Sequence, residues 1–299
     1  MQVKKTWKRV DGVLLLDKPI GLSSNDALQK ARRLFSAAKG GHTGTLDPMA
    51  TGLLPLCFGE ATKFSADLLG ADKTYEAVLK LGVTTDTCDA EGVITSTATV
   101  HVSESDISKV LPQFTGPIQQ VPPMHSALKL NGRPLYELAR KGIEVERKAR
   151  AVNIYQIEHL AFSGDLLSLR VACSKGTYIR VLAADIGAAL GCGAHLVALR
   201  RTVVGELDLA NAVTLAELEA MSEEERGGCL QSVDALLHTL PVLNVEGAEA
   251  DRFSHGNPVA LPAGLDGKIR VYADGCLIGV GEPGREGLLW PKRLVQLAD

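Results

Sequence analysis

The chain has no Cys-x-x-Cys pair, no Gly-x-Gly-x-x-Gly after an apolar run, no P-loop, no Gly-x-Ser-x-Gly elbow and no His-Glu-x-x-His. These absences withdraw local support for a zinc ribbon or redox dithiol, a dehydrogenase, a kinase, a serine hydrolase and a zinc enzyme. The six cysteines (Cys57, Cys88, Cys173, Cys192, Cys229 and Cys276) are scattered without pairing rhythm. Cys192 and His195 form one lone Cys/His pair with no second pair at ligand spacing. They read as reduced thiols of a cytoplasmic protein. No apolar run approaches the length needed to cross a bilayer. The run Val13–Leu16 behind the basic start (Lys4, Lys5, Lys8, Arg9) stops at Asp17-Lys18-Pro19, too short for a signal peptide. The expectation is a soluble, unexported chain with no membrane partner.

Excess positive charge is also missing, since the formal net charge is −3. Distribution matters more than the sum. Between Lys129 and Arg150 seven basic residues face three acidic ones, Glu137, Glu144 and Glu146, whereas acid collects at Glu223-Glu224-Glu225. Two basic clusters on a mildly acidic chain leave a solvated face and a nucleic-acid surface about evenly matched.

The chain has 299 residues, 45% of them hydrophobic, enough for one large domain and a small one. Val13–Leu16 reads as a short buried strand. Ser23-Ser24-Asn25-Asp26 offers caps for a helix with the stripe Ala27, Leu28, Ala31, Leu34 and Phe35. Tyr75, Ala77, Leu79, Leu81 and Val83 mark a half-buried strand with Tyr75 at its mouth. Asp86, Asp89 and Glu91 follow it, but their spacing fails the calcium-loop pattern, so no metal is assigned there. Ser103–Leu111 and Pro134–Lys141 read as helices, and Gly116–Pro123 as a proline-punctuated connection. Leu167–Cys173 reads as a strand running into a helix that Gly191 closes. His195–Val204 reads as a strand and Val213–Leu237 as helical. Beyond Pro241 the texture changes to short strands, with a hairpin turn at Asp274-Gly275. A domain boundary is expected near residue 240. The residues by themselves reach an α+β fold with a β-rich C-terminal module.

The most informative stretch is Gly40 to Gly52, which packs four glycines and a proline around one carboxylate, Asp47. It cannot be a helix interior. Pro48 biases Asp47 toward an extended conformation. A carboxylate held so rigidly is a structural cap or a reagent. Arg180 opens a helix, a poor place for a cation, which points to an anionic partner.

Together these residues resemble the bacterial tRNA pseudouridine-55 synthases. The resemblance rests on Gly12-Val13-Leu14-Leu15-Leu16-Asp17-Lys18-Pro19, on Gly41 to Gly52, on Lys73-Thr74-Tyr75 and on Cys173 to Arg180. Leu190 to His195, Leu199-Arg200-Arg201 and Phe253 to Val259 extend it over nearly the whole chain. It implies a mixed antiparallel sheet with flanking helices and a central cleft over residues 1–240, with a basic thumb-like insertion at about 124–150. It further implies a PUA-like β-barrel domain over 241–299. Asp47 would be the nucleophile, Arg180 its ionic partner, and Tyr75 the residue stacked on uracil, its hydroxyl helping remove the C5 proton. Tyr178 and Leu199 would line the uracil pocket. His42 would fill the place of a flipped base, and Lys18 would be structural or phosphate-facing. The resemblance implies no metal or cofactor, the T-arm of tRNA as partner, no obligatory protein partner and a monomer. Two further readings stay open: an RNA-folding protein in which catalysis is secondary, and a guide-RNA-dependent synthase.

Overall fold

Gly12–Lys18 (β1) is apolar on consecutive residues because both of its faces are covered. Leu14 and Leu16 enter one core, with Ala27, Leu28 and Ala31 of the helix Ser24–Leu34 (α1). Val13 and Leu15 enter a second core that includes Leu277 and Val280 of the C-terminal part. The computed structural model describes residues 6–296 apart from Ala127 and Asn131. Ser23 caps α1 by accepting from the Asp26 amide at 3.1 Å. The short edge strand Gly40–His42 (β2) then pairs with Ala50–Phe58 (β3).

Lys73–Leu81 (β4), Gly116–Gln120 (β5), Arg150–Ser163 (β6), Leu166–Cys173 (β7), the helix Ile179–Ala189 (α2) and Ala194–Val204 (β8) complete the frame. The central sheet runs Val213–Thr214, β1, β3, β8, β4, β7, β6, β5. It is mixed: β8 lies parallel to β3 and antiparallel to β4. One edge of β8 therefore borders the strand that follows the glycine-rich loop, and the other borders the strand of Tyr75.

The C-terminal residues form a separate five-stranded sheet with its own core around Phe253, Ile269, Val271 and Leu289. Asp274 (φ 50°) and Gly275 (φ 75°) are both left-handed, the conformation a two-residue hairpin turn demands. This sheet is fastened to the body by the shared apolar seam of Leu277 and Val280. Polar contacts add to the seam, with Lys63 donating to the Leu294 carbonyl (2.9 Å) and the Gln296 amide to Glu60 (2.8 Å).

Two expectations need correction. Residues 116–120 are not a connection but the edge strand β5, paired with β6 from Arg150↔Gln120 to Ile154↔Gly116. Strand β6 itself gave no clean alternation, because its outer half is solvated and its register with β7 shifts twice. Val213–Leu237 is not one helix. Thr214 and Ser222 each open a new capping box, giving the two short helices Leu215–Ala220 and Glu223–Gly228. The basic insertion is a small hairpin (Lys129–Leu130 with Arg133–Pro134) and the short helix Leu135–Ala139. Lys4 and Lys5 lie outside the described residues. No helix among the described residues is long and apolar enough to cross a membrane.

Candidate active site

The loop carrying Asp47 is clamped from both sides. Ser24, at the start of α1, accepts from the Leu46 amide (2.7 Å) and donates to the Leu46 carbonyl (3.1 Å). The Gly21 amide donates to the Pro48 carbonyl at 2.8 Å. At the far end Gly52 has φ 97°, and a Cβ there would lie 2.3 Å from the Arg201 carbonyl. Only glycine permits that approach of β3 to β8. The carboxylate of Asp47 is thus held in place while its side chain remains 37% exposed.

Arg180, in the first turn of α2, meets Asp47 at 3.1 Å through Nη2 and Asp89 at 2.9 Å through Nη1. Its Nη2 also donates to the His125 carbonyl at 2.8 Å. Asp89 is almost fully buried. Its other oxygen accepts from Thr87 Oγ1 (2.6 Å) and the Glu91 amide (3.1 Å). The Asp89 loop is tied to β8 through Ala90 and Leu196 (2.9 Å) and through Leu196 and Cys88 (3.0 Å). One guanidinium therefore bridges two carboxylates, which offsets its unfavourable place at a helix N-terminus.

Burial pushes the Asp47 carboxyl above the usual aspartate range. Arg180 pulls it down, the charge of Asp89 pushes it back up, and Lys18 and His125 pull it down again. Sequence reasoning anticipated the guanidinium but not that it is shared. The outcome is an aspartate more basic than a freely solvated one, a property that suits a nucleophile.

The walls come from neighbouring strands. Tyr75 on β4 stands opposite Arg201 on β8, and Leu199 lies two residues earlier on the same face. Tyr178 precedes α2, where Gln120 grips its backbone by accepting from its amide (3.0 Å) and donating to its carbonyl (3.3 Å). Asp47, Tyr75, Tyr178, Arg180 and Leu199 line one cavity of roughly 560 Å³, together with Lys73 and Arg201. That volume is of the size that takes a small molecule or an extruded base. Size alone does not select it, since a cleft of about 550 Å³ lies between residues 67–72, 205–207 and 235–240. That second cleft is walled by Asp67, Asp72 and Glu206, the wrong sign for RNA.

Two named candidates are not in the cavity. Lys18 is fully buried and donates to the carbonyls of Pro19 (2.9 Å) and Leu22 (2.6 Å), so it does not reach out to a phosphate. Burial lowers its pKa to about 8. His42, on the edge strand β2 beside the loop, is half-buried, and its buried Nδ1 has no hydrogen-bond partner. Burial holds its ring below the usual imidazole range.

Sequence reasoning missed Asp89, weighing it only as a metal ligand, and gave no role to Arg201. Asp89 had no local signal. Arg201 lay within a quoted stretch, and an arginine on an apolar strand two residues after Leu199 was a usable clue.

A rigid aspartate held by an arginine that a second aspartate shares, in a half-apolar cavity of a mixed sheet, agrees with the pseudouridine synthase class that the sequence resemblance implies. The chain belongs to the TruB family. Residues 32–179 match the TruB family pseudouridylate synthase (N terminal domain). Residues 180–240 match the tRNA pseudouridylate synthase B C-terminal domain, and residues 241–295 match the pseudouridine synthase II TruB C-terminal domain. It is 77% identical over 299 residues to a tRNA pseudouridine synthase B of Dechloromonas aromatica (strain RCB), covering 100% of both chains. It is 58% identical over 294 residues to one from Aromatoleum aromaticum, covering 98% of this chain and 96% of the other. Its fold is similar to a chain in the crystal structure of the archaeal box H/ACA sRNP Nop10-Cbf5 complex, with TM-score 0.72 and 26% identity. That match covers 95% of this chain and 85% of the other.

Proposed function

We propose that the protein converts the T-loop uridine-55 of tRNA to pseudouridine, with Asp47 as nucleophile. The observation that carries the reading is the Asp47–Arg180–Asp89 bridge at the floor of a cavity walled by Tyr75, Tyr178 and Leu199. Breaking the N1–C1′ bond and rejoining through C5 moves no net electrons. N1 gains a proton, and C5 gives up its own. The work required is that of a fixed anion, an orienting cation and a base acceptor, which these residues supply. A uridine within folded RNA must first leave its stack, at a cost of a few kcal/mol. His42, at the rim strand beside the loop, is the ring suited to fill the vacated place. Lys18 acts from beneath, its charge helping keep Asp47 ionised. The basic insertion and the C-terminal sheet supply phosphate contacts to the T-arm, and the chain acts alone, as a monomer in the cytoplasm.

The test is incubation of the purified chain with unmodified tRNA transcript, followed by nucleoside mapping. Wild type should yield pseudouridine at position 55 without guide RNA or added protein. Asp47→Asn should yield none while binding tRNA within about twofold of wild type, since it removes one group from the floor and none from the phosphate-facing surface. Turnover by Asp47→Asn would refute the nucleophile, and a requirement for guide RNA would favour the guide-dependent reading.

A further inference from the structure

Arg201 is 1% exposed and makes no ion pair among the described residues. A buried cation without a carboxylate is costly, and it persists where its hydrogen bonds accomplish something. Its Nε donates to the Leu53 carbonyl at 2.8 Å, at the start of the apolar part of β3. Its Nη2 lies 3.5 Å from the Gly44 carbonyl, in the loop three residues before Asp47. Its cross-strand neighbour on β4 is Tyr75, whose side chain lines the same cavity. Gly52, opposite Arg201 on β3, is a glycine with positive φ because the Arg201 backbone passes so close. The guanidinium thus ties strand β3 to the loop of Asp47 at a point directly across the sheet from Tyr75.

We infer that Arg201 is a positioning residue for the reaction, holding the Tyr75 hydroxyl in fixed register with the loop that carries Asp47. The inference rests on the function proposed above. A planar guanidinium with several donors suits the task, and an ammonium does not, because one nitrogen cannot hold the Leu53 and Gly44 carbonyls and still present a donor to a phenol in a third direction. The direction of the electrostatics agrees. Burial drives the Tyr75 phenol upward, and Arg201 is the largest influence pulling it back.

The experiment is a double-mutant cycle of Arg201 and Tyr75, read as the single-turnover rate on unmodified tRNA. Melting curves and tRNA binding report that each variant is folded. Arg201→Met should slow the reaction at least about tenfold, and by no more than Tyr75→Phe does, because it acts through that hydroxyl. Arg201→Lys keeps the charge, protects against misfolding, and should still be slowed. In the Tyr75→Phe background either Arg201 change should alter the rate by less than about twofold. An equal fractional loss in both backgrounds would show a purely structural arginine and overturn the proposal. So would a full wild-type rate for Arg201→Lys. Tyr75→Phe at full rate would remove the tyrosine's role and this inference with it. Product formation by Asp47→Asn would strike only the proposed nucleophile and leave the cycle readable.

Discussion

Replacing Asp89 by asparagine isolates the electrostatic part of the site from its shape. The side chain is 2% exposed and that of Arg180 7%, so their pair is buried. Removing one partner of a buried pair costs about 3–5 kcal/mol, because the other charge is left without compensation. Asparagine still accepts from Thr87 and Glu91, and Arg180 keeps Asp47, so the lower end, about 3 kcal/mol, is expected. At about 2–4 °C per kcal/mol this is a fall in Tm of about 6–12 °C. The rate should drop about ten- to hundredfold as Arg180 loses the anchor that fixes its angle to Asp47, the worth of one charge-assisted hydrogen bond. The pH profile gives the decisive sign. Asp89 is one of the influences raising the Asp47 pKa. Its neutralisation leaves the pull of Arg180 on Asp47 opposed by burial alone, so the pKa falls and Asp47 stays ionised to lower pH. The acid limb of kcat/KM should therefore move down. The assay is release of tritium from C5-labelled uridine in tRNA across the acid range. An acid limb that stays in place or moves up, with an unchanged melt, would show that Asp89 does not act on Asp47 and would defeat the reasoning.

Asp47→Asn should melt higher than wild type at neutral pH. A carboxyl whose folded pKa lies above its unfolded one is stabilising only while protonated, and that contribution is lost as pH rises through the folded pKa. The gap in Tm should therefore shrink on acidification, and a gap that grows would contradict the raised pKa. Gly52→Ala should destabilise by at least about 3 kcal/mol, since it meets both a positive φ and the Arg201 carbonyl. Gly41→Ala, with open space around its Cβ, should stay within about 0.5 kcal/mol in a urea melt. Exposed Lys148 and Arg150, each changed to Gln, should each lower the salt dependence of tRNA binding by a slope of about one if they meet phosphates, and an unchanged slope would place the RNA elsewhere.

What the sequence disclosed followed from local rules. The caps and stripe of α1, the hairpin at Asp274-Gly275 and the strand of Tyr75 are each set by residues within a few positions of one another. They could be read because period and turn chemistry are short-range properties. The same holds for the loop of Asp47, whose glycines announce a backbone that must bend. The helix misread at Val213–Leu237 failed for a local reason too: two capping boxes eight residues apart restart the chain, a stronger instruction than its acidic, helix-favouring composition. Strand β5 escaped because an edge strand tolerates the proline that argued against it.

The site was legible only in part, for a different reason. Five of the candidate residues share one cavity, but the electrostatics among them depend on partners that lie far along the chain. Asp89 is 91 positions from Arg180, and no spacing rule connects them. Their meeting requires β8 to lie against β4 while the Asp89 loop docks on Leu196. A sequence reader who sees one aspartate and one arginine infers a simple pair, with the acid held low. The fold buries the acid, which reverses the direction of the shift, and supplies a second acid on the opposite side of the guanidinium that adds to the rise. That reversal matters for the chemistry. A simple pair would give a fully stabilised and therefore weakly basic anion, whereas a shared arginine orients Asp47 while neutralising only part of its charge. Residue identity can reveal that a carboxylate is special. How reactive it is depends on how deeply it is buried and on the charges around it in space, and both are properties of the sheet.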